Sequence, residues 1–127
     1  MPEREVVFCQ DRPGDAPVLE WLENLRRNNE RAYAKCVAKI ERLAELGQEL
    51  RRPEADYLRD GVYELRSRFG TVNYRILYFF HGRTLAVLAH ALTKKAKVPT
   101  ADINRALGRK AKFESDPETH TYESNES

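Results

Sequence analysis

Residues 61–99 read GVYELRSRFGTVNYRILYFFHGRTLAVLAHALTKKAKVP, and the way this stretch pairs with itself decides the fold. Its alternating apolar and aromatic residues predict three strands, the first two joined at Gly70 and the third following His81-Gly82-Arg83. A two-residue loop opening on glycine is the signature of a type II′ turn, and both Gly70-Thr71 and Gly82-Arg83 fit it. Taking both as turns sets the registers. In the first hairpin Phe69 faces Val72, Ser67 faces Tyr74, Leu65 faces Ile76 and Tyr63 faces Tyr78, which makes one sheet face almost wholly apolar. On the opposite face Arg68 meets Asn73, Arg66 meets Arg75 and Glu64 meets Leu77. The second hairpin sets Tyr74 beside Ala91, Ile76 beside Ala89, Tyr78 beside Val87 and Arg75 beside His90.

The expected result is a transverse basic row, Arg66–Arg75–His90, with Lys94 four residues along from His90. Like charges directly opposed across strands are destabilising, so folding alone does not recommend such a row. A phosphate laid over it reverses the sign, because guanidinium forks bind phosphate oxygens bidentately. Two alternatives stay open. A loop at Phe69-Gly70 sets Glu64 opposite Arg75 as an ordinary ion pair, and Glu64 also stands where it can act diagonally to orient an arginine.

Working outward, Glu5–Gln10 reads as a short β-branched strand. Asp15 is placed to cap a helix with Pro17 in its first turn, followed by Val18, Leu19, Trp21, Leu22 and Leu25 at helical spacing. A second helix runs from Asn29 with Tyr33, Cys36, Val37, Ile40, Leu43, Ala44 and Leu46 on one stripe, and Gly47 is placed to end it. Residues 48–61 read as a polar link. The segment PTADINRALGRKAKF, from Pro99 to Phe113, has Thr100 three residues before Ile103 and apolar Ile103, Ala106 and Leu107, which predicts a short helix. The chain is expected to be one domain, residues 1–114, followed by an acidic, disordered tail over 115–127.

The net charge of +2 over 127 residues hides a segregation. Residues 51–112 carry 14 Lys and Arg against 5 Asp and Glu, whereas residues 1–50 are net −2 and the last fifteen net −5. Between Gly61 and Ala101 the sole acid is Glu64. An anionic partner is therefore expected on the 51–112 half. Cys9 and Cys36 have no metal-ligand spacing with His81, His90 and His120, so no metal and no cofactor is expected, and two thiols point to a reduced, cytoplasmic protein. The charged start MPEREVVFCQDRPGD and the lack of an 18-residue apolar window predict neither a signal peptide nor a membrane span.

The set GVYELR, YRILYF, LAHALTKKAKVP and ADINRALGRKAKF, in that order, resembles the HigB-like branch of the RelE/ParE toxins over about residues 5–113. The resemblance implies an α+β, RelE-like fold with two N-terminal helices packed on a twisted antiparallel sheet. It also implies the toxin of a type II toxin–antitoxin pair, an endoribonuclease cutting mRNA on the ribosome and neutralised by a cognate antitoxin, often of helix-turn-helix type. Arg66, Arg75, His90, Lys94 and Lys95 carry over by motif as catalytic candidates. Leu92 stands where the family often has Phe, a departure that touches packing.

Such cleavage needs a deprotonated 2′-hydroxyl, a stabilised phosphorane and a protonated 5′-oxygen. Arg66 and Arg75 are the candidate phosphate clamp. His90 is the first candidate for proton transfer, with one of the lysines 94, 95 and 97 as the alternative. Arg68, Lys97, Arg105, Arg109 and Lys110 are expected to contact or steer RNA. A ParE-like toxin inhibiting a topoisomerase by protein contact, or an RNA-binding module without turnover, are the competing readings.

Overall fold

The computed structural model describes residues 5–93 and 97–123. In chain order the elements are β1 (Glu5–Phe8), α1 (Pro17–Asn28), α2 (Glu30–Leu46), a 3-10 turn (Gly47–Glu49), β2 (Ala55–Arg59), β3 (Val62–Phe69), β4 (Val72–His81), β5 (Leu85–Thr93), α3 (Thr100–Ser115) and α4 (Pro117–His120). The class is α+β. The sheet has the order β1-β5-β4-β3-β2 and is mixed rather than antiparallel, because β1 pairs parallel to β5 with Glu5 opposite Leu85. Both N-terminal helices lie between β1 and the hairpins in sequence, and a connection of that length permits parallel pairing.

The β3–β4 register is the one expected: Phe69 pairs with Val72, Ser67 with Tyr74, Leu65 with Ile76 and Arg66 with Arg75. Gly70 opens the turn at φ 63. The β4–β5 register differs. His81 pairs with Leu85 across a three-residue loop, and a bulge between Leu77 and Tyr78 shifts the pairing by one more place. Leu77 therefore faces His90, and Arg75 faces Leu92 instead of His90. The two single-residue shifts add to two, which is one full side-chain period, so His90 keeps its expected face but moves one pair along.

The polar link holds an unexpected strand, β2, which pairs with β3 through Ala55–Leu65, Asp56–Glu64, Tyr57–Tyr63 and Arg59–Val62. Its signal is Asp60-Gly61, a dipeptide suited to two successive positive-φ positions, here φ 50 and φ 87.

Alternation along β4 sends Tyr74, Ile76 and Tyr78 to one core and Leu77 and Phe79 to the other. The first core packs Val18 and Leu22 of α1 and Ala32, Cys36 and Leu43 of α2 against Leu65, Ile76 and Leu88. The second packs Ala106 and Phe113 of α3 against Val62, Leu77, Phe79 and Val87. The helix after Pro99 is thus 16 residues long and covers part of the sheet face expected to lie open. Phe113 is the anchor that a reading restricted to Ile103, Ala106 and Leu107 misses; it is fully buried, with its ring edge-on to Phe79.

At the start of α1 the N-cap is Ala16 without a side-chain bond, and Asp15 pairs with Arg12 instead. Asn29 ends α1 and caps α2, its side chain accepting from the Ala32 amide at 3.1 Å. Of the segment read as a disordered tail, Pro117–His120 form α4, Thr121 bridges Cys9, and the Tyr122 amide donates to the Phe8 carbonyl at 2.8 Å. Residues 124–127 lie outside the described residues. No helix among the described residues is long and apolar enough to cross a membrane.

Candidate functional site

Residues Glu64 and Arg66 of β3 and Arg75 of β4 project from the α3 side of the sheet, because they alternate with Leu65 and Ile76 of the first core. Glu64 is 2 % exposed. Its Oε1 accepts from Arg66 Nε at 2.6 Å and from Arg75 Nη1 at 3.0 Å, while Oε2 also accepts from Arg75 Nη1 at 3.0 Å. The negative partner that the Arg66–Arg75 pair was expected to take from outside is therefore supplied from within. Glu64 lies two residues along β3 from Arg66, and so diagonal to Arg75, one of the alternatives the sequence left open. A buried carboxylate between two guanidinium groups converts a repulsive cross-strand pair into a triad.

Strand β2 adds Asp56, directly opposite Glu64. Its Oδ2 accepts from Arg66 Nη2 at 3.1 Å and pairs with Arg52 Nη2 at 3.0 Å. The hydrogen bond from Arg52 is the main cause holding the Asp56 carboxyl below its ordinary pKa. The polar-link reading hid Asp56, and the Asp60-Gly61 turn was the signal for it.

Arg66, Arg75, Asp56, Glu64, Asn73 and Lys97, with Leu58, Val98 and Ile103 as apolar wall, line a concavity of about 590 Å³. Three cations and two carboxylates face it, and Arg52 adds a further positive charge through Asp56. Arg66 is the more accessible of the two arginines, with 38 % of its side chain exposed against 12 % for Arg75. Among the described residues Arg66 Nη1 has no partner assigned, which leaves N–H donors for an incoming anion.

His90 does not line this concavity. It belongs to a second network under α3. Its Nε2 lies 2.6 Å from Asp102 Oδ1 and its Nδ1 lies 3.1 Å from Arg109 Nη1. Arg109 also donates from Nε to Asp11 Oδ1 at 3.0 Å and from Nη1 to the Ala89 carbonyl at 3.0 Å. Ala89 is the extra residue of the β5 bulge, so Arg109 satisfies the carbonyl that the disrupted ladder releases. The partners assign the neutral tautomer with hydrogen on Nε2: that nitrogen donates to Asp102 while Nδ1 accepts from Arg109. Both ring nitrogens are thereby engaged.

The remaining candidates divide. Arg68 and Arg105 are exposed, and Arg68 Nε donates to the Gly70 carbonyl at 3.0 Å. Arg109, expected as an RNA-steering cation, is instead tied internally to Asp11 and Ala89. Lys110 pairs with Glu114 at 3.0 Å and lies over the Phe79 ring at 6.0 Å from its centroid. Lys94 and Lys95 lie outside the described residues. Among the described residues no group of three or more His, Cys, Asp or Glu is arranged to hold a metal ion. Cys9 and Cys36 are free and buried, and burial pushes both thiols up to about 11, which suits packing rather than nucleophilic chemistry.

No curated protein matches the chain. Residues 20–111 match the family described as phage derived protein Gp49-like (DUF891), a span that runs from α1 to within α3 and holds both charge networks apart from Asp11. The chain thus belongs to the Gp49-like, phage-derived family, a family associated with RelE-like toxins.

Proposed function

We propose that the protein is the toxin of a type II toxin–antitoxin pair of the HigB-like branch, a metal-independent endoribonuclease that cuts mRNA on the ribosome and is neutralised by a cognate helix-turn-helix antitoxin. The observation that carries this reading is the concavity around Arg66: an accessible guanidinium, oriented by a buried carboxylate, in a hollow where cations outnumber acids. The 2′-hydroxyl of RNA gives its proton to water as its oxygen attacks the adjacent phosphorus, the P–O5′ bond breaks, the departing 5′-oxygen takes a proton from water, and the products are a 2′,3′-cyclic phosphate and a 5′-hydroxyl. Arg66 stabilises the charge that grows on the phosphorane oxygens, and Lys97 contacts the same or the neighbouring phosphate. Glu64 positions Arg66, and Arg75 holds Glu64. His90 takes no proton-transfer role in this scheme, since Asp102 and Arg109 occupy both of its nitrogens.

Engagement of both arginines by Glu64 favours a second reading, RNA binding without turnover, because part of the clamp is already satisfied. Mapping RNA ends on programmed ribosomes separates the two. New ends lost on Arg66→Ala support the nuclease. Binding without new ends supports the second reading, and full toxicity of Arg66→Ala removes this site and leaves a ParE-like protein contact.

A further inference from the structure

Beyond the hollow around Arg66 there is a second basic hollow that shares its wall. Strand β3 runs from Val62 to Phe69, whereas β2 stops at Ala55, opposite Leu65. The last tie on that side is the Arg66 amide donating to the Glu54 carbonyl at 2.8 Å. Past it, the outer edge of β3 opens onto a concavity of about 570 Å³ between α2 and the β3–β4 hairpin, lined by Lys35, Lys39, Arg66, Ser67, Arg68 and Asn73 together with Ala38 and Pro53. Every charged residue in that lining is a cation. Lys39 is paired with Glu54 at 3.2 Å, but among the described residues neither Lys35 nor Arg68 has a carboxylate within ion-pair distance. Both are exposed. Arg66 and Asn73 line this hollow and the first one alike. Arg66 thus stands on the saddle between two positively charged concavities on opposite sides of an open strand edge.

Continuity of two basic hollows through one arginine is the geometry of a track for a flexible polyanion, not of a pocket for a single small anion. We infer that the hollow of Lys35 and Arg68 binds the phosphodiester backbone of single-stranded RNA flanking the phosphate held at Arg66, so that the strand crosses the β3 edge from the α2 side to the α3 side. The inference rests on the nuclease or RNA-binding reading above and adds to it the path of the strand, Lys35 as a residue that holds it and a place on that path for Arg68. An acidic protein segment is the competing occupant. The shared Arg66 favours RNA, because a strand that must present one phosphate at Arg66 carries further phosphates along both directions of its backbone.

The test is fluorescence anisotropy with a labelled, unstructured 2′-O-methyl oligoribonucleotide, which cannot be cut, titrated across a salt series. Each lost phosphate contact lowers the log–log salt slope by roughly 0.7 for a single strand. Lys35→Gln/Arg68→Gln is expected to lower the slope by about 1.4, and Lys35→Gln alone, on an exposed helical site where Gln is well tolerated, by about 0.7. Arg26→Gln/Arg27→Gln removes the same charge from the exposed end of α1 and is expected to leave the slope unchanged. Equal losses in both double variants overturn the track, as does an unchanged slope in Lys35→Gln with wild-type melting. Poly-glutamate competing as well as RNA assigns the hollow to an acidic partner and likewise overturns it. RNA that fails to bind the wild-type chain sinks the functional reading itself. Binding lost on Arg66→Ala but untouched by Lys35→Gln/Arg68→Gln sinks only the path.

Discussion

The α3 side of the sheet holds two charge networks of similar composition and opposite character. Around Glu64, one buried carboxylate faces two arginines at the rim of an open concavity, and the outer arginine keeps 38 % of its side chain in solvent. Around His90, an imidazole is gripped by a carboxylate and a guanidinium from the same helix, with side-chain exposures of 12 % for His90 and 18 % for Arg109. The first network orients a cation and leaves it accessible. The second consumes its donors and acceptors in joining β5, α3 and the β1–α1 loop. Proximity of basic residues in sequence does not separate these cases; how much of each side chain its partners leave in solvent does.

Removing the shared carboxylate should be the most damaging single change in either network. Glu64→Ala removes the carboxylate that Arg66 and Arg75 share and leaves their guanidinium groups opposed across the strands, and loss of one partner from a buried ionic group typically costs ~3–5 kcal/mol. Urea unfolding is the measurement, and a midpoint equal to wild type would mean that the triad contributes nothing to the fold. Next comes Arg66→Ala, which should lower RNA cleavage by about 10²–10³-fold while perturbing stability less than Glu64→Ala does, since the guanidinium is partly solvated already. Comparable losses of stability in both variants would erase the proposed division between an orienting acid and an available cation.

The second network should respond in the reverse sense. Asp102→Ala strands the His90 Nε2–H and is expected to cost ~1–3 kcal/mol of stability, with the cleavage rate per folded molecule unchanged. A fall in that rate at full stability would return His90 to the reaction. The smallest effect concerns pH. Hydrogen bonding by Arg42, and then by Lys39, lowers Glu54 from the ordinary value of 4.5 to about 2. A carboxyl depressed in the folded state contributes stability that is fully present above pH ~4.5 and is lost as pH falls towards 2. Glu54→Gln should therefore flatten the acid limb of a melting-temperature profile over that window by lowering the neutral plateau towards the value at pH ~2, where the two proteins converge; a limb as steep as that of wild type would refute the assignment.

Legibility varied with the range of the interactions involved. Gly70-Thr71 set the β3–β4 register correctly because a two-residue loop admits one pairing, and a two-residue period then assigns every side chain to a face. The Gly82 turn looked equivalent but misled: its loop takes in Thr84, and the bulge at Ala89 is stabilised by Arg109, twenty residues further on. Strand β2 is ambiguous in the sequence although Asp60-Gly61 marks its hairpin, since the polar residues flanking it suit an edge strand as well as a link. Phe113 closes the segment read as a short helix, but its role as anchor is not legible there, because its partner Phe79 lies on a strand more than thirty residues away.

The amino-acid sequence by itself determined the α+β class, the cross-strand pairing of Arg66 with Arg75 and the basic surplus of residues 51–112, because turn chemistry, side-chain alternation and charge count are local or additive properties. Tertiary structure decided which of those cations stay available. Glu64 reaches Arg66 within one strand, but Asp56 reaches Arg66, and Asp11 and Asp102 reach Arg109 and His90, only after the β2 hairpin closes and α3 docks on the sheet. An ion pair between residues remote in sequence depends on where packing brings them, and that is set by the buried apolar faces rather than by the charges themselves.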